Sequence, residues 1–64
     1  MIGDRIRAAR KKLGLYQHQV AKRLHVTEGT LVAWEAGYRQ PSKVNIRQLK
    51  QFFGADFLGP YPGY

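Results

Sequence analysis

The stretch QHQVAKRLHVTEGTLVAWEA, residues 17–36, decides the fold. Its large apolar residues form two pairs at helical spacing. Val20 and Leu24 lie four residues apart, and Leu31 and Trp34 lie three apart, so each pair falls on one face of a helix. This pattern predicts two short helices in sequence, each with one face turned to a common core.

A tight turn is expected between these helices, at His25 and Thr27. The backbone at His25 is expected to be left-handed, a conformation in which glycine is most comfortable and histidine is somewhat enriched. Thr27 is a favourable N-cap, because its hydroxyl can accept a hydrogen bond from an amide of the following turn. A small Ala21 lies where the two helices would approach most closely. This is the layout of a helix-turn-helix.

A further helix is predicted before this stretch. Ile2, Ile6, Ala9 and Leu13 recur at helical spacing as one apolar stripe. The helix is expected to run from Ile2 to Leu13 and to end at Gly14, a favourable C-cap residue. Its remaining surface is strongly basic.

Another helix is predicted after it. Ser42 is an N-cap, residues 43–53 carry an apolar stripe, and Gly54 ends the helix. Residues 55–58 form at most one helical turn, and the Gly- and Pro-containing residues 59–64 are expected to form an extended C-terminal tail.

The predicted fold class is therefore all-α, a compact bundle of four to five short helices with the helix-turn-helix at residues 17–36. Residues 1–58 would form the domain.

Charge is the strongest global property of the chain. Its 64 residues include 11 Lys and Arg against 4 Asp and Glu, for a net charge of +7 and a pI near 10.3. Such an excess indicates a polyanionic partner, with nucleic acid the usual one, an anionic membrane the competing one and simple solubility the third explanation. No apolar run reaches transmembrane length and the N-terminus is no signal peptide, which predicts a cytoplasmic protein without a membrane partner.

The residue types needed for catalysis or metal binding are sparse. The chain has no cysteine, and its two histidines, His18 and His25, lie seven residues apart in different local contexts. We therefore predict no enzyme activity, no metal and no cofactor. The acids are scattered along the chain: Asp4, Glu28, Glu35 and Asp56.

Motifs across nearly the whole chain carry a family resemblance. They are IGDRIRAARKKLGL at 2–15, Gln17, Val20-Ala21, Val26, Trp34-Glu35, Gly37 and Pro41-Ser42. Together they resemble the phage repressor and Cro (XRE-type) helix-turn-helix family. The resemblance implies a lambda-repressor-like bundle of four or five helices that binds operator DNA, usually as a dimer.

The resemblance also implies a role for individual residues. Gln17, at the start of the second helix, would contact the DNA backbone and support the recognition helix. Arg39 would contact phosphate from the loop after the third helix. Arg10 and Glu35 match a partly buried salt bridge of some family members. The positions that would face the groove are Thr27, Glu28, Gly29, Thr30 and Ala33.

Elementary electrostatics supports backbone contacts in the same places. Helix N-termini attract phosphate through their free amides, here at Gln17 and Thr27. Lys43 adds a point charge for phosphate, as Arg39 does. Tyr16 stands where the family often has Ser or Thr, so the second helix loses its usual N-cap, but its hydroxyl can donate to a phosphate.

The groove-facing set is poor in base-reading side chains. It contains no Arg, Lys, Asn or Gln, the types that make bidentate contacts to guanine and adenine. Glu28 can accept a hydrogen bond from a cytosine amino group or can simply stabilise the first turn of its helix. Val32 and Ala33 can contact a thymine methyl. We therefore expect modest direct readout, with much of the affinity from backbone contacts and DNA shape.

The leading hypothesis is a non-enzymatic, DNA-binding transcriptional regulator of prokaryotic or phage type. Its partner would be double-stranded DNA, bound as a monomer or as a homodimer. The alternative is an antitoxin-like or other protein-interaction module that uses the same domain and binds a second protein through its aromatic C-terminal tail. Binding of structured RNA is disfavoured, because no stacking surface is apparent.

Overall fold

A computed structural model describes residues 2–54 and 57–58. Four helices form in this part of the chain, and no strand does. The prediction of an all-α bundle is confirmed. The helices are α1 (Ile2–Lys12), α2 (Gln17–Leu24), α3 (Glu28–Ala36) and α4 (Lys43–Phe53).

One apolar core holds the helices together, and α3 lies at its centre, packed against both α1 and α2. Trp34 is 3% exposed, which confirms it as the anchor of α3. Leu58 is also buried, so the core extends to the last described residue. The predicted tail, residues 59–64, lies outside the described part. The buried apolar residues are Ile2, Ile6, Val20, Ala21, Leu24, Leu31, Trp34, Ile46, Leu49 and Leu58.

The buried face of α1 differs from the predicted stripe. Leu13 follows the end of the helix and is 55% exposed, so its assignment to the core was wrong. The buried residues of α1 are instead Ile2, Gly3, Ile6 and Arg10. The reason is that α1 packs against α3 through the side that carries Gly3 and Arg10, and Arg10 meets a buried carboxylate of α3 there. Leu13, at the far end of the apolar stripe, lies outside this contact.

At Gly3, α1 passes very close to the backbone of α3. A Cβ atom built at Gly3 would lie 2.7 Å from the backbone oxygen of Glu35 and closer still to that of Trp34. These are backbone atoms at the end of a packed helix, so they cannot move aside as a flexible side chain would. Glycine ordinarily weakens a helix, but Gly3 permits this close helix crossing.

Substitution of Gly3 by alanine is therefore expected to destabilise the fold, although alanine favours helix. Forcing the two helices apart should lower the free energy of unfolding by about 1–3 kcal/mol. Urea denaturation followed by circular dichroism measures this change. A variant at least as stable as the parent would contradict the close crossing.

The turn between α2 and α3 adopts the predicted conformation. His25 has φ 59° and ψ 38°, which is left-handed. Its amide donates to Lys22 O at 3.3 Å, and the Val26 amide donates to Ala21 O at 3.0 Å. These two bonds close the end of α2 in a Schellman arrangement.

Replacement of His25 by glycine is expected to stabilise the protein by about 0.5–1 kcal/mol. The gain is the left-handed strain of a residue with a Cβ, about 1–2 kcal/mol, less the larger entropy of glycine in the unfolded chain. Thermal melting measures it. His25→Ala is the matched control, because it keeps the Cβ and should show no such gain.

The helix caps follow the sequence prediction. Thr27 Oγ1 accepts from the Thr30 amide at 3.1 Å, and Ser42 Oγ accepts from the Asn45 amide at 3.2 Å. The side chain of Tyr16 forms no cap hydrogen bond for α2. The side chain of the third residue of α2 compensates, since Gln19 Oε1 accepts from the Tyr16 amide at 2.7 Å.

None of the described helices is long and apolar enough to cross a membrane.

Candidate nucleic-acid interface

The third helix divides its residues between the core and the solvent. Its buried residues are Leu31, Trp34 and Glu35. The opposite side is open, and Val32 is 39% exposed there. We call this open side the reading face; it consists of Thr27, Glu28, Gly29, Thr30, Val32 and Ala33. The structure brings the five groove-facing residues of the sequence prediction together on this face, with Thr30 and Ala33 partly buried and the other three exposed.

The two threonines of the reading face are engaged with each other. Besides the cap hydrogen bond, Thr27 Oγ1 and Thr30 Oγ1 lie 2.8 Å apart, so one hydroxyl donates to the other. A contact from Thr30 to a base or a phosphate therefore has to share or replace this hydrogen bond. This arrangement limits the polar chemistry that the reading face offers.

Gly29 is a glycine that the fold does not need. A Cβ atom at this position would meet only Thr27 Oγ1, at 4.0 Å. Exposed glycine in a helix costs about 0.5–1 kcal/mol relative to alanine. What the missing side chain does provide is an open stretch of helix backbone that another molecule can approach closely.

A basic groove lies beside the reading face, between α1 and the N-terminus of α2. It has a volume of about 460 Å³. Tyr16 stands at the start of α2, 69% exposed, with its ring stacked on His18 at 5.8 Å between centroids. Two exposed cations of α1, Arg7 and Lys11, also line this groove. Its other lining residues are Arg10, Tyr16, Gln17, His18, Glu28 and Glu35.

A buried ion pair connects this groove to the core. Glu35 is 4% exposed and Arg10 is 9% exposed. Arg10 Nε donates to Glu35 Oε2 at 2.7 Å, and a second guanidinium nitrogen donates to Oε1 at 3.1 Å. Another Arg10 nitrogen donates to the Leu15 carbonyl oxygen at 2.9 Å. The salt bridge that the family resemblance implied is therefore present, and it ties α1 to α3 and to the loop before α2.

Gln17 belongs to the same network. Its side-chain amide donates to Glu35 Oε1 at 3.2 Å. Arg7 approaches the same oxygen at 3.5 Å from the groove side. The side-chain amide of Gln17 is thus hydrogen-bonded to Glu35 within the protein, while the backbone amide of Gln17 lies at the N-terminus of α2. The network fixes the position of α2 relative to α3.

Opposing effects set the charge state of this pair. Burial is the largest effect on Glu35 and by itself would raise its pKa. Hydrogen bonds from Arg10, Gln17 and Arg7, with the charge of Arg10, outweigh burial, so the pKa of Glu35 is lowered from its ordinary value. The hydrogen bond to Glu35 is the main reason that the pKa of Arg10 is raised. Both groups are therefore ionised at neutral pH.

The remaining predicted contacts follow α3 in the chain. Arg39 is exposed in the loop after α3, and its amide donates to Ala33 O at 3.3 Å. Lys43 is exposed at the first position of α4. Both side chains are thus accessible to a phosphate backbone.

Three accessible residues near these sites were not assigned to the site from the sequence alone. Tyr38, next to Arg39, is 85% exposed, and Arg7 and Lys11 line the basic groove. The available signals were an aromatic residue in a turn between glycine and arginine, and two cations four residues apart outside the apolar stripe of α1.

Comparisons with known proteins identify the family to which this fold belongs. The sequence profile of the helix-turn-helix family matches residues 6–58. A protein of Methanothermobacter thermautotrophicus (strain Delta H), named as an uncharacterized HTH-type transcriptional regulator, is 36% identical over 53 residues, which cover 83% of this chain and 77% of the relative. No solved structure matches the chain significantly. The chain belongs to the phage repressor and Cro (XRE-type) helix-turn-helix family.

Proposed function

We propose that this protein is a DNA-binding transcriptional regulator that places its reading face in the major groove of double-stranded DNA. The observation that carries the proposal is the division of α3, whose inner side builds the core while its outer side stays open beside a basic groove. Membership in the helix-turn-helix family and the name of the relative support the same function. Transcriptional control requires no catalysis, and we propose none. Prokaryotic DNA lies in the cytoplasm, so we propose that the protein acts there.

Most of the affinity is proposed to come from the phosphate backbone. The N-terminus of α2 offers free amides at Gln17, and Tyr16 offers an exposed hydroxyl next to them. Arg39 and Lys43 would contact phosphates on the other flank of α3. The cations of the basic groove, Arg7 and Lys11, extend the same contact. Such contacts fix the register of the protein on DNA, and they weaken steeply with salt.

Direct readout of bases is proposed to be modest. Glu28 can accept from a cytosine amino group, and Val32 and Ala33 can contact a thymine methyl. The hydroxyls of Thr27 and Thr30 already bond to each other. Sequence preference would therefore rest largely on DNA shape and flexibility.

Selection from a randomised duplex library tests this proposal. We expect binding to duplex DNA with a broad preference, and a protected footprint on a selected fragment. Absence of binding to any duplex at low salt would refute the proposed function. Strong selection at several adjacent guanines would refute the modest direct readout, because no side chain of the reading face makes bidentate contacts to guanine.

Gly29→Ala is expected to separate stability from DNA binding. The added methyl group meets open space in the fold, so the free energy of unfolding should rise by about 0.5–1 kcal/mol. On DNA the same methyl group would hold the helix backbone away from the groove, and we expect the Kd to rise about tenfold. Thermal melting and fluorescence anisotropy with a selected duplex measure the two effects. A more stable variant with unchanged Kd would mean that DNA does not approach α3 at Gly29.

The proposal includes binding as a homodimer. Two recognition helices would then lie about 34 Å apart, one turn of DNA, and a footprint with two-fold symmetric half-sites would support it. Contact of the tail with a second protein stays a prediction, since residues 59–64 lie outside the described part of the structure. Removal of those six residues followed by a pull-down tests it.

A further inference from the structure

Arg7 is the most weakly held member of the network around Glu35. Its Nε atom lies 3.5 Å from Glu35 Oε1, and a terminal nitrogen of its guanidinium lies 3.5 Å from the Glu35 carbonyl oxygen. Both distances exceed the range of about 2.7–3.2 Å that is usual for such hydrogen bonds. The side chain of Arg7 is also 46% exposed. A long ion pair with one partner in solvent contributes little to stability.

The carboxylate of Glu35 is satisfied without Arg7. Its Oε1 atom already accepts hydrogen bonds from Arg10 at 3.1 Å and from Gln17 at 3.2 Å. A carboxylate oxygen has two lone-pair directions, so Arg7 is a third donor to an acceptor that is already filled. Arg10 also donates to the other oxygen at 2.7 Å and supplies the counter-charge. The charge of Arg7 is therefore in excess of what Glu35 needs.

Donors from two helices meet in the basic groove where Arg7 lies. Arg7 and Lys11 line it from α1, and Lys11 is exposed there one helical turn after Arg7. Tyr16 and Gln17 line it from the N-terminus of α2, where backbone amides have no partner within the helix. A phosphate in this groove would therefore meet donors from both helices at once.

We propose that Arg7 exchanges partners when DNA binds: it leaves Glu35 for a backbone phosphate, while Arg10 and Gln17 stay on the carboxylate. This inference rests on the proposed function, and it assigns a conformational change to one side chain of the groove. A phosphate offers the guanidinium a charge-assisted and bidentate contact that the filled oxygen of Glu35 does not. The ion pair between α1 and α3 is retained, so the exchange leaves the core in place.

Glu28 is the competing acceptor in the same groove. Its carboxylate is exposed and lines the groove with Arg7. The phosphate is favoured over it, because DNA presents many phosphates whose counterions are released when a cation replaces them. Glu28→Gln should therefore leave the exchange of Arg7 intact.

The resonances of the arginine side chains report the exchange directly. We expect the Nε–Hε signal of Arg7 to shift when a duplex from the randomised library is titrated into isotope-labelled protein at low salt. The corresponding signal of Arg10 should stay in place, because its hydrogen bonds to Glu35 persist. In Glu28→Gln the shift of Arg7 should be the same as in the parent.

Salt dependence of duplex binding supplies the second measurement. Arg7→Gln should weaken binding about five- to tenfold at low salt and reduce the slope of log K against log salt by about 0.9, the value of one phosphate contact. Arg7→Lys keeps the charge and should restore the slope. Lys12→Gln is the matched control, because Lys12 is exposed on the same helix and does not line the basic groove. Its slope should equal that of the parent. The melting temperature of Arg7→Gln should fall by only a few degrees, so the effect is not one of unfolding.

Four results would overturn the exchange. An unchanged Arg7 signal in a complex that does form would mean that Arg7 stays on Glu35. Joint shifts of Arg7 and Arg10 would mean that the whole network opens. Loss of the Arg7 shift in Glu28→Gln would make Glu28 the new partner, and an equal change of slope in Lys12→Gln would mean that only net charge matters. Absence of duplex binding by the parent is distinct from all four, because it refutes the proposed function itself.

Discussion

Replacement of Glu35 by alanine is expected to lower the free energy of unfolding by about 3–5 kcal/mol. The carboxylate is the shared acceptor for Arg10 and Gln17. Its removal leaves the guanidinium of Arg10 buried without its counter-charge and removes the ion pair between α1 and α3. A domain of this size has only a few kcal/mol to lose, so most molecules should be unfolded at 25 °C. Circular dichroism and urea denaturation measure the effect.

Glu35→Gln is the matched control for this prediction. The amide oxygen can still accept a hydrogen bond from Arg10, but the charge is gone, so the loss should be smaller than in Glu35→Ala. Equal stability of Glu35→Ala and the parent would show that the network contributes nothing to the fold.

The same carboxylate gives the stability a defined pH dependence. Its pKa is lowered in the folded state from an ordinary value of 4.5, so the folded state holds the ionised form more strongly than the unfolded state does. The stabilisation is therefore fully present above about pH 4.5 and is lost as the pH falls through the lowered folded-state pKa. Denaturation curves from pH 7 to pH 2 should show this loss in the parent. In Glu35→Gln, this contribution to the pH dependence should be absent.

Replacement of Trp34 by alanine is expected to cost about 3–5 kcal/mol. The indole is 3% exposed at the centre of the core, and α3 packs there against both α1 and α2. The resulting cavity would sit between three helices that have no disulfide to hold them, since the chain has no cysteine. Far-UV circular dichroism is the suitable measurement, because the variant loses the one tryptophan of the chain and with it the fluorescence signal.

Val32→Ala is the matched control on the same helix. Val32 is 39% exposed on the reading face, so its truncation should change the free energy of unfolding by less than about 0.5 kcal/mol. Normal melting of Trp34→Ala, or equal losses in the two variants, would contradict the assignment of inner and outer sides to α3.

The sequence predicts those elements of the fold that depend on local chemistry. The cap residues Thr27 and Ser42, and the left-handed turn at His25, depend on side chains and backbone within one helical turn, and all three are confirmed. The burial of Trp34 follows from helical periodicity. Local rules were sufficient to place these four positions correctly.

Features that depend on how two helices cross were not predictable in the same way. Helix propensity alone marks Gly3 as a residue that weakens α1. The structure shows that the backbone of α3 passes against Gly3 and leaves no space for a side chain. Leu13 continues an apolar stripe in the sequence, but α1 ends at Lys12 and turns a different side to the core. Only the contact between α1 and α3 in the structure shows which side of α1 is buried.

The residues of the candidate site also divide into those that a local sequence pattern predicts and those that only helix packing brings together. The residues of the reading face all lie between positions 27 and 33, so one helix pattern and one family resemblance predict them together. Arg7 and Lys11 lie far from α3 in sequence, and only the packing of α1 against α3 brings them to the same side. The hydrogen bond from Gln17 to Glu35 was not predicted as such, since the resemblance gave Gln17 a contact with the DNA backbone and a general role in supporting the recognition helix.

The two sides of α3 have an evolutionary consequence. Substitutions at Glu28, Gly29 and Val32 fall outside the core, whereas Leu31 and Trp34 are confined by it. Under the proposed function, a lineage of such proteins would adopt a new operator by changing these outer residues, with little compensation elsewhere in the chain. A Cβ atom at Gly29 would meet only Thr27 Oγ1, at 4.0 Å, so the fold itself accepts a side chain at this position, where new DNA specificities can be sought.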